Sequence, residues 1–298
     1  MTGRKLLQLR ISSSYIIMLE MIIDFHTHVV PPGVKERHTK YLNDACFSQL
    51  YAEPEAKLIT AEELIAAMDE YEIDKSVILN LGWTSHELCV ETNNYILEAI
   101  ARYPQQLIGF CAIQPLAGDK AIEELERCAR GGARGIGEMR PDVQGFDLKD
   151  NKVIKPIAEA AIEHNLIFLT HASEPVGHQY FGKGSITPEV IYPFIVSFPD
   201  LKIVCAHWGG GLPFYALMPE VGRAFSNVYF DTAATPFLYK AQIFKQVADI
   251  TGSDKILFGS DYPLLSPRRI IDQIESVKLS QKDRVKILGG NAQRLLSI

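Results

Sequence analysis

The residues best suited to chemistry are histidines and acids that stand where apolar runs end. "IIDFHTH" (22–28) places His26 and His28 two apart. In a strand, residues i and i+2 share a face, so the two imidazoles would project together from its end. "FLTHASEP" carries His171, "VCAHWGGG" carries His207, and "FGSDYP" carries Asp261, each closing a similar apolar run. One such histidine alone reads as a satisfied structural residue, but the same placement repeated at four run ends is a collective pattern. Imidazole nitrogens and a carboxylate converging on one point suit Zn²⁺ or a related divalent ion and leave room for a water. "GIGEMRP" adds Glu138 and, two residues on, Arg140. Glu138 can be a metal ligand or an ion-pair partner of Arg140 or His171. Arg140 can clamp a substrate carboxylate bidentately or serve in a structural pair.

These residues need a scaffold that brings run ends together. From residue 22 onward, short apolar runs alternate with longer amphipathic segments, the pattern of parallel strands joined by crossover helices. Eight strands are expected, at 21–25, 75–81, 107–113, 134–139, 166–171, 201–207, 227–232 and 255–261. Helical patterns run over 60–71, where Thr60 and Glu63 form a capping box, and over 121–130, 151–165, 213–225 and 266–278. Eight such units predict a (β/α)₈ barrel, whose typical size is about 250 residues. No G-x-G-x-x-G follows the first strand, which disfavours a doubly wound dinucleotide-binding sheet. The segment 29–59 is long enough to fold over the barrel mouth. The expected organisation is an N-terminal extension, 1–20, outside the barrel, and one barrel domain, 21–298.

Composition narrows the partners. The chain has 298 residues, 47% of them hydrophobic, and a formal net charge of −6 with no clustered Lys/Arg run, which argues against a nucleic-acid surface. No apolar stretch spans a membrane, since Glu20 interrupts "YIIML" and no cleavage pattern follows. Five widely spaced cysteines without a CxxC suit a reducing cytoplasm. The expected partner is a small molecule, with room for a homodimer. Trp208, Trp83 and Phe214 are candidates for a pocket wall, and the loop holding Glu174, His178 and Lys183 for substrate contacts; packing and solvation are the alternatives. Of these, Trp208 and His178 join Arg140 as the expected substrate-binding residues. Gly209–Gly211 lets the backbone turn sharply or pass close to a ligand.

With "DFHTH", His171, "AHWGGGLPF" and "ILFGSDYP" in place, residues 21 to about 296 resemble the amidohydrolase superfamily, in particular the branch of aminocarboxymuconate semialdehyde decarboxylase. The resemblance implies a distorted (β/α)₈ barrel with a metal held by His26, His28, His171 and Asp261, and with His207 beside it as a proton donor or a ligand to a second ion. No strand-four lysine matches the carbamylated ligand of some members; Glu138 stands there and resembles the bridging glutamate of deoxyribonuclease-like members, so one ion or two are both allowed.

The expected reaction is hydrolysis of a small carboxylate-bearing lactone, amide or ester, with metal-activated water as nucleophile, Asp261 as proton carrier and His207 stabilising the developing oxyanion. The alternative is non-oxidative decarboxylation of a small unsaturated or aromatic acid, with Asp261 or His207 protonating the carbon that loses CO₂. A barrel that keeps its metal only for stability is the third reading, and intact His207 and Asp261 disfavour it.

Overall fold

The computed structural model describes residues 21–298; the expected extension, 1–20, lies outside the described residues. Eight parallel strands run in sequence order: β1 (Ile23–His28), β2 (Lys75–Leu79), β3 (Leu107–Cys111), β4 (Gly135–Met139), β5 (Ile167–Thr170), β6 (Ile203–Cys205), β7 (Val228–Asp231) and β8 (Ile256–Leu257). The chain beyond β8 closes the ring against β1, through Phe25 N–H to Phe258 O at 2.8 Å and His28 N–H to Tyr262 O at 2.8 Å. The fold is the (β/α)₈ barrel that the alternating runs predict.

Two apolar layers follow from strand periodicity. Ile23, Phe25, Val77, Leu79, Ile167, Leu169 and Val204, from alternate strand positions, fill the barrel with Phe110, and Ala292, Leu295 and Leu296 of the last helix pack with them. The opposite strand faces, with Ile78, Phe168 and Ile203, pack against the helices. Helix Ala61–Tyr71 carries the expected capping box of Thr60 and Glu63. The helix expected over 213–225 is instead a 3₁₀ segment, Leu212–Leu217, and a short helix, Pro219–Ala224. Pro219 cannot donate an N–H to a continuous ladder, so the pattern breaks there.

Between β1 and Ala61–Tyr71, the chain folds into short helices that end in Ala45–Tyr51. Asp44 caps this last helix through Cys46 N–H at 3.0 Å and Phe47 N–H at 3.1 Å, and its other oxygen accepts from Thr84 N–H at 2.8 Å. One carboxylate thus forms the helix start and ties it to the loop after β2. Phe47 stacks on the buried Trp83 with ring centroids 5.5 Å apart. Leu50 and Tyr51 of this helix line the cavity at the barrel mouth.

Candidate active site

Strand alternation alone would not deliver the strand-one histidines to the barrel axis. Ile23 and Phe25 point inward, so His26 and His28 would face out in a regular strand. Between Asp24 and Thr27, β1 advances three residues while β2 advances two, from Ser76 to Ile78. That extra residue reverses the alternation and turns both imidazoles inward. A second irregularity of the same kind lies between Ile136 and Met139 of β4, against Phe168 and Thr170 of β5, and it brackets Glu138. Gly137 permits it: its φ is +129°, and a Cβ there would lie 2.3 Å from Leu169 O.

His171 follows β5 directly, so alternation inherited from Ile167 and Leu169 suffices to point it inward. His207 and Asp261 lie past their strands, at φ 53° and 68°, where non-glycine residues cost of order 1–3 kcal/mol and are held by their surroundings. The His207 N–H donates to Asp231 Oδ1 at 2.9 Å, and the Asp261 N–H donates to His26 O at 2.9 Å. Gly210, at φ +60°, lets the chain after His207 pass close to the loop after β5, where a Cβ would lie 2.2 Å from Ser173 O.

The side chains meet in one buried cluster. His26 Nε2 lies 3.1 Å from His28 Nε2, 3.8 Å from Asp261 Oδ1 and 3.9 Å from Glu138 Oε2. His28 Nε2 is 3.5 Å from Asp261 Oδ1 and 3.7 Å from Glu138 Oε2. Glu138 Oε1 faces the other way, 2.8 Å from His171 Nδ1 and 3.3 Å from His207 Nε2. Donor atoms bound at about 2.1 Å to one tetrahedral ion are about 3.4 Å apart, so these spacings fit a divalent cation. His28 Nδ1 is buried without a hydrogen-bond partner.

Asp231, at the end of β7, is a functional residue that the sequence reading missed. Its Oδ2 accepts from His26 Nδ1 at 2.8 Å, which leaves the Nε2 lone pair facing the cluster, and its Oδ1 takes the backbone N–H groups of His207 and Ala233. The available signal was an acid at a strand end, "VYFDT", the same signal that marked Asp261.

The electrostatics are those of a compact acid–imidazole cluster. Burial opposes the charge of Glu138, yet His171, His207 and His26 hold its carboxyl well below the usual carboxylate range. Burial likewise opposes ionisation of Asp261, but hydrogen bonding to His28 and the charges of His26 and His207 bring it down to about 2. Burial disfavours the charged form of His26, and Asp231 overrides it to raise His26 to about 10. His171 is lowered to about 4, by burial first and then by the Arg140 charge.

The cluster opens into a cavity of about 380 Å³ with apolar and aromatic walls, among them Leu50, Tyr51, Phe181, Phe237 and Leu264. Arg140 lines it as well. Its Nη2 donates to Gln49 Oε1 at 2.7 Å and to Gly182 O at 3.2 Å, while Nε, 3.6 Å from Asp142 Oδ1, has no hydrogen bond. No ion pair joins Glu138 to Arg140 among the described residues, so the Glu138–Arg140 alternative is not the one adopted. His178 lines the cavity, with its ring 5.5 Å from Tyr180. Trp208 does not: it is fully buried, donates to Thr235 Oγ1 at 2.8 Å and packs edge-on against Phe244. Its own φ of 59° directs the ring into the core instead of the mouth. Trp83 is buried too, donating to Asn80 Oδ1 at 3.0 Å, and Phe214 lines a neighbouring hollow.

Comparison with known proteins bears on both family and reaction. An amidohydrolase family model matches residues 23–298. Gamma-resorcylate decarboxylase of Polaromonas sp. is 24% identical over 289 residues, covering 78% of this chain and 86% of its own. The 2-amino-3-carboxymuconate-6-semialdehyde decarboxylase of Dictyostelium discoideum is 23% identical and covers 93% of this chain and 91% of its own. Among solved structures, 5-carboxyvanillate decarboxylase of Novosphingobium aromaticivorans, complexed with manganese and a nitrobenzoic acid, superposes with a TM-score of 0.78 at 19% identity, covering 94% of this chain and 97% of its own.

These matches correct the expectation of hydrolysis. Hydrolases and carboxy-lyases can share one set of strand-end donors, so the motifs do not separate a water nucleophile from a carbon that must be protonated. Most of the curated relatives are decarboxylases, which favours the alternative reading over the hydrolase. Barrel, strand-end cluster and a family match running from β1 to the last residue agree: this chain belongs to the amidohydrolase family, in the branch similar to aminocarboxymuconate semialdehyde decarboxylase.

Proposed function

We propose that the protein is a metal-dependent non-oxidative decarboxylase of a small unsaturated or aromatic acid. The observation that carries this reading is the match, over most of both chains, to decarboxylases of such acids. The cavity agrees with it, since apolar and aromatic walls face the donor cluster and Arg140 offers a guanidinium to a carboxylate. His26, His28 and Asp261, with His171 and Glu138, would hold a divalent cation. Zinc, expected from the imidazole-rich set, and manganese, held by the Novosphingobium neighbour, both suit mixed nitrogen and oxygen donors. When bound, the cation supplies Lewis-acid polarisation and neutralises substrate charge.

The chain's own residues account for the rest. Arg140 fixes the acid, and the walls exclude water from the carbon that will carry charge. The bond between that carbon and the carboxyl group breaks, CO₂ leaves, and the electron pair stays on the carbon until it takes a proton. His207 is engaged at both nitrogens, Nδ1 3.2 Å from Ala233 O and Nε2 3.3 Å from Glu138, so the transfer is assigned to Asp261. Its carboxyl group takes a proton from solvent and delivers it to the carbon, which balances the conversion of bound carboxylate and one proton to product and CO₂.

The test is CO₂ release from a panel of hydroxybenzoates and unsaturated dicarboxylic acids, using enzyme of measured metal content. At least one acid should turn over, and Asp261→Asn at equal metal content should lose about 10²-fold or more in kcat. Metal-replete enzyme that releases CO₂ from no member of the panel would overturn the reaction, and near wild-type turnover by Asp261→Asn would overturn the assignment of the proton.

A further inference from the structure

Helix Ala45–Tyr51 reaches the active site at two points. Gln49 Oε1 accepts from Arg140 Nη2 at 2.7 Å, and two residues on Tyr51 lines the cavity in which the donor cluster stands. The helix is fastened to the barrel: Asp44 caps it and binds the loop after β2, Phe47 stacks on Trp83, and the Tyr51 ring packs 5.0 Å from that of Phe47. The Tyr51 carbonyl accepts from His38 Nε2 at 2.6 Å. The phenol is therefore held in a fixed place relative to the Arg140 guanidinium.

Its hydroxyl stands apart from those of other tyrosines. Tyr41 donates to Glu91 Oε1 at 2.7 Å, Tyr180 donates to Glu174 Oε2 at 3.0 Å, and Tyr95 accepts from Ala61 N–H at 2.8 Å. Tyr51, only 8% exposed, has no hydrogen-bond partner for its hydroxyl among the described residues. An O–H group taken out of water without a partner costs free energy, and a ligand that supplies the partner recovers it. Burial first, and then the neighbouring Asp261, Cys46 and Glu138, push the phenol up, so it is uncharged at neutral pH and has a proton to donate. The influence of Asp261 and Glu138 also sets it on the cluster side of the cavity, where the reacting part of an acid must lie.

We propose that Tyr51 determines substrate specificity: its hydroxyl donates a hydrogen bond to an oxygen substituent of the acid, a hydroxyl or oxo group, other than the carboxylate fixed by Arg140. The proposal rests on the acid-binding reading above and deepens it, because it narrows the substrate to acids that carry such an oxygen. An acid without one leaves the phenol unpartnered in a site closed to water, which disfavours that acid. The apolar walls, Leu50, Phe181, Phe237 and Leu264, offer no hydrogen bond that would make the same distinction.

The experiment compares acids that differ only in the oxygen substituent: each monohydroxybenzoate against benzoate, and hydroxymuconate against muconate. Binding to the full chain loaded with Mn²⁺ is read by isothermal titration calorimetry, and CO₂ release is followed alongside. At least one hydroxy acid should bind the wild type about threefold or more tightly than its parent. Tyr51→Phe keeps the ring and its contact with Phe47 but removes the hydroxyl, and should reduce that advantage about three- to tenfold. A merely structural role would weaken both members of a pair alike and leave their ratio unchanged. No advantage in the wild type, or an advantage that survives in Tyr51→Phe, would overturn the proposal, while CO₂ release from any of the acids would leave the decarboxylase reading standing. A preference lost in the variant, with CO₂ released from no acid, would overturn that reading and keep Tyr51 as the recognising group; no binding by any acid would overturn both. If Tyr51→Phe is unfolded by circular dichroism, Tyr51→Met, which also lacks the hydroxyl, is measured in its place.

Discussion

Asp231→Asn tests whether a residue outside the ligand set governs metal affinity. In the wild type, Oδ1 accepts from the N–H groups of His207 at 2.9 Å and Ala233 at 3.1 Å, and Oδ2 accepts from His26 Nδ1 at 2.8 Å. Asparagine has one oxygen, and the two backbone donors claim it. Its amide –NH₂ then faces His26 Nδ1 and can only donate, which moves the imidazole proton to Nε2, the atom aimed at His28 and the carboxylates. Binding a cation there requires returning the proton to Nδ1, against an N–H group and without the carboxylate. A hydrogen bond to a charged group contributes about 1.5–3 kcal/mol. At about 1.4 kcal/mol per decade, affinity should fall about 10–100-fold, the range found for groups that orient metal-bound histidines. Titration of Mn²⁺ against a competing fluorescent chelator measures this, with circular dichroism to establish that both proteins are folded. A dissociation constant within about twofold of wild type would refute the tautomer argument and leave Asp231 only a loop-anchoring role.

Three further outcomes follow from the geometry. Arg140→Lys should raise KM for the acid about tenfold or more at unchanged metal content, because an ammonium cannot reproduce the guanidinium fork; an unchanged KM would remove Arg140 from substrate binding. Glu124→Ala should lower stability in urea by about 1–3 kcal/mol, since Glu124 accepts from Asn93 Nδ2 and Arg127 Nε at 2.7 Å each and the variant leaves buried Asn93 short of a partner. Burial works against the Glu124 charge, but Arg127 and Asn93 outweigh it and lower its pKa. That part of the stability is therefore fully present above the unfolded value near about 4.3 and lost as pH falls through the folded one; a gap between wild type and variant that stays constant on acidification would contradict this. Finally, we propose the domain boundary at Met21, whose carbonyl packs on Gly289 while the Ile22 N–H donates to Asp74 Oδ2 at 2.8 Å. A chain starting at Met21 should keep its melting temperature, and a large fall would place residues before it in the fold.

The barrel was legible because its signal is local. Apolar runs of strand length alternate with helix-length amphipathic segments, and only a few architectures bury such an alternation. His26, His28, His171, His207, Asp261 and Glu138 were legible for a related reason: residue type and position at a run's end are both written in the chain. Some elements of the scaffold were not. Helix His86–Arg102, for example, holds the buried Thr92 and Asn93 on its inner face, which blurs the apolar stripe that marks a helix.

What tertiary structure alone decided is where these side chains point and what they serve. An extra residue in β1 and another in β4 reverse the strand alternation, and nothing in "IIDFHTH" or "GIGEMRP" announces them, because register depends on pairing with β2 and β5. Trp208, next to His207, looked like a pocket residue until the backbone turned its ring into the core. Asp231 gained its importance only by packing behind His26, 205 positions away in the chain. The reaction was the least legible feature. A set of donors records that a cation can bind, whereas the choice between attack by water and protonation of carbon depends on the shape and polarity of the space above them, which long-range packing builds.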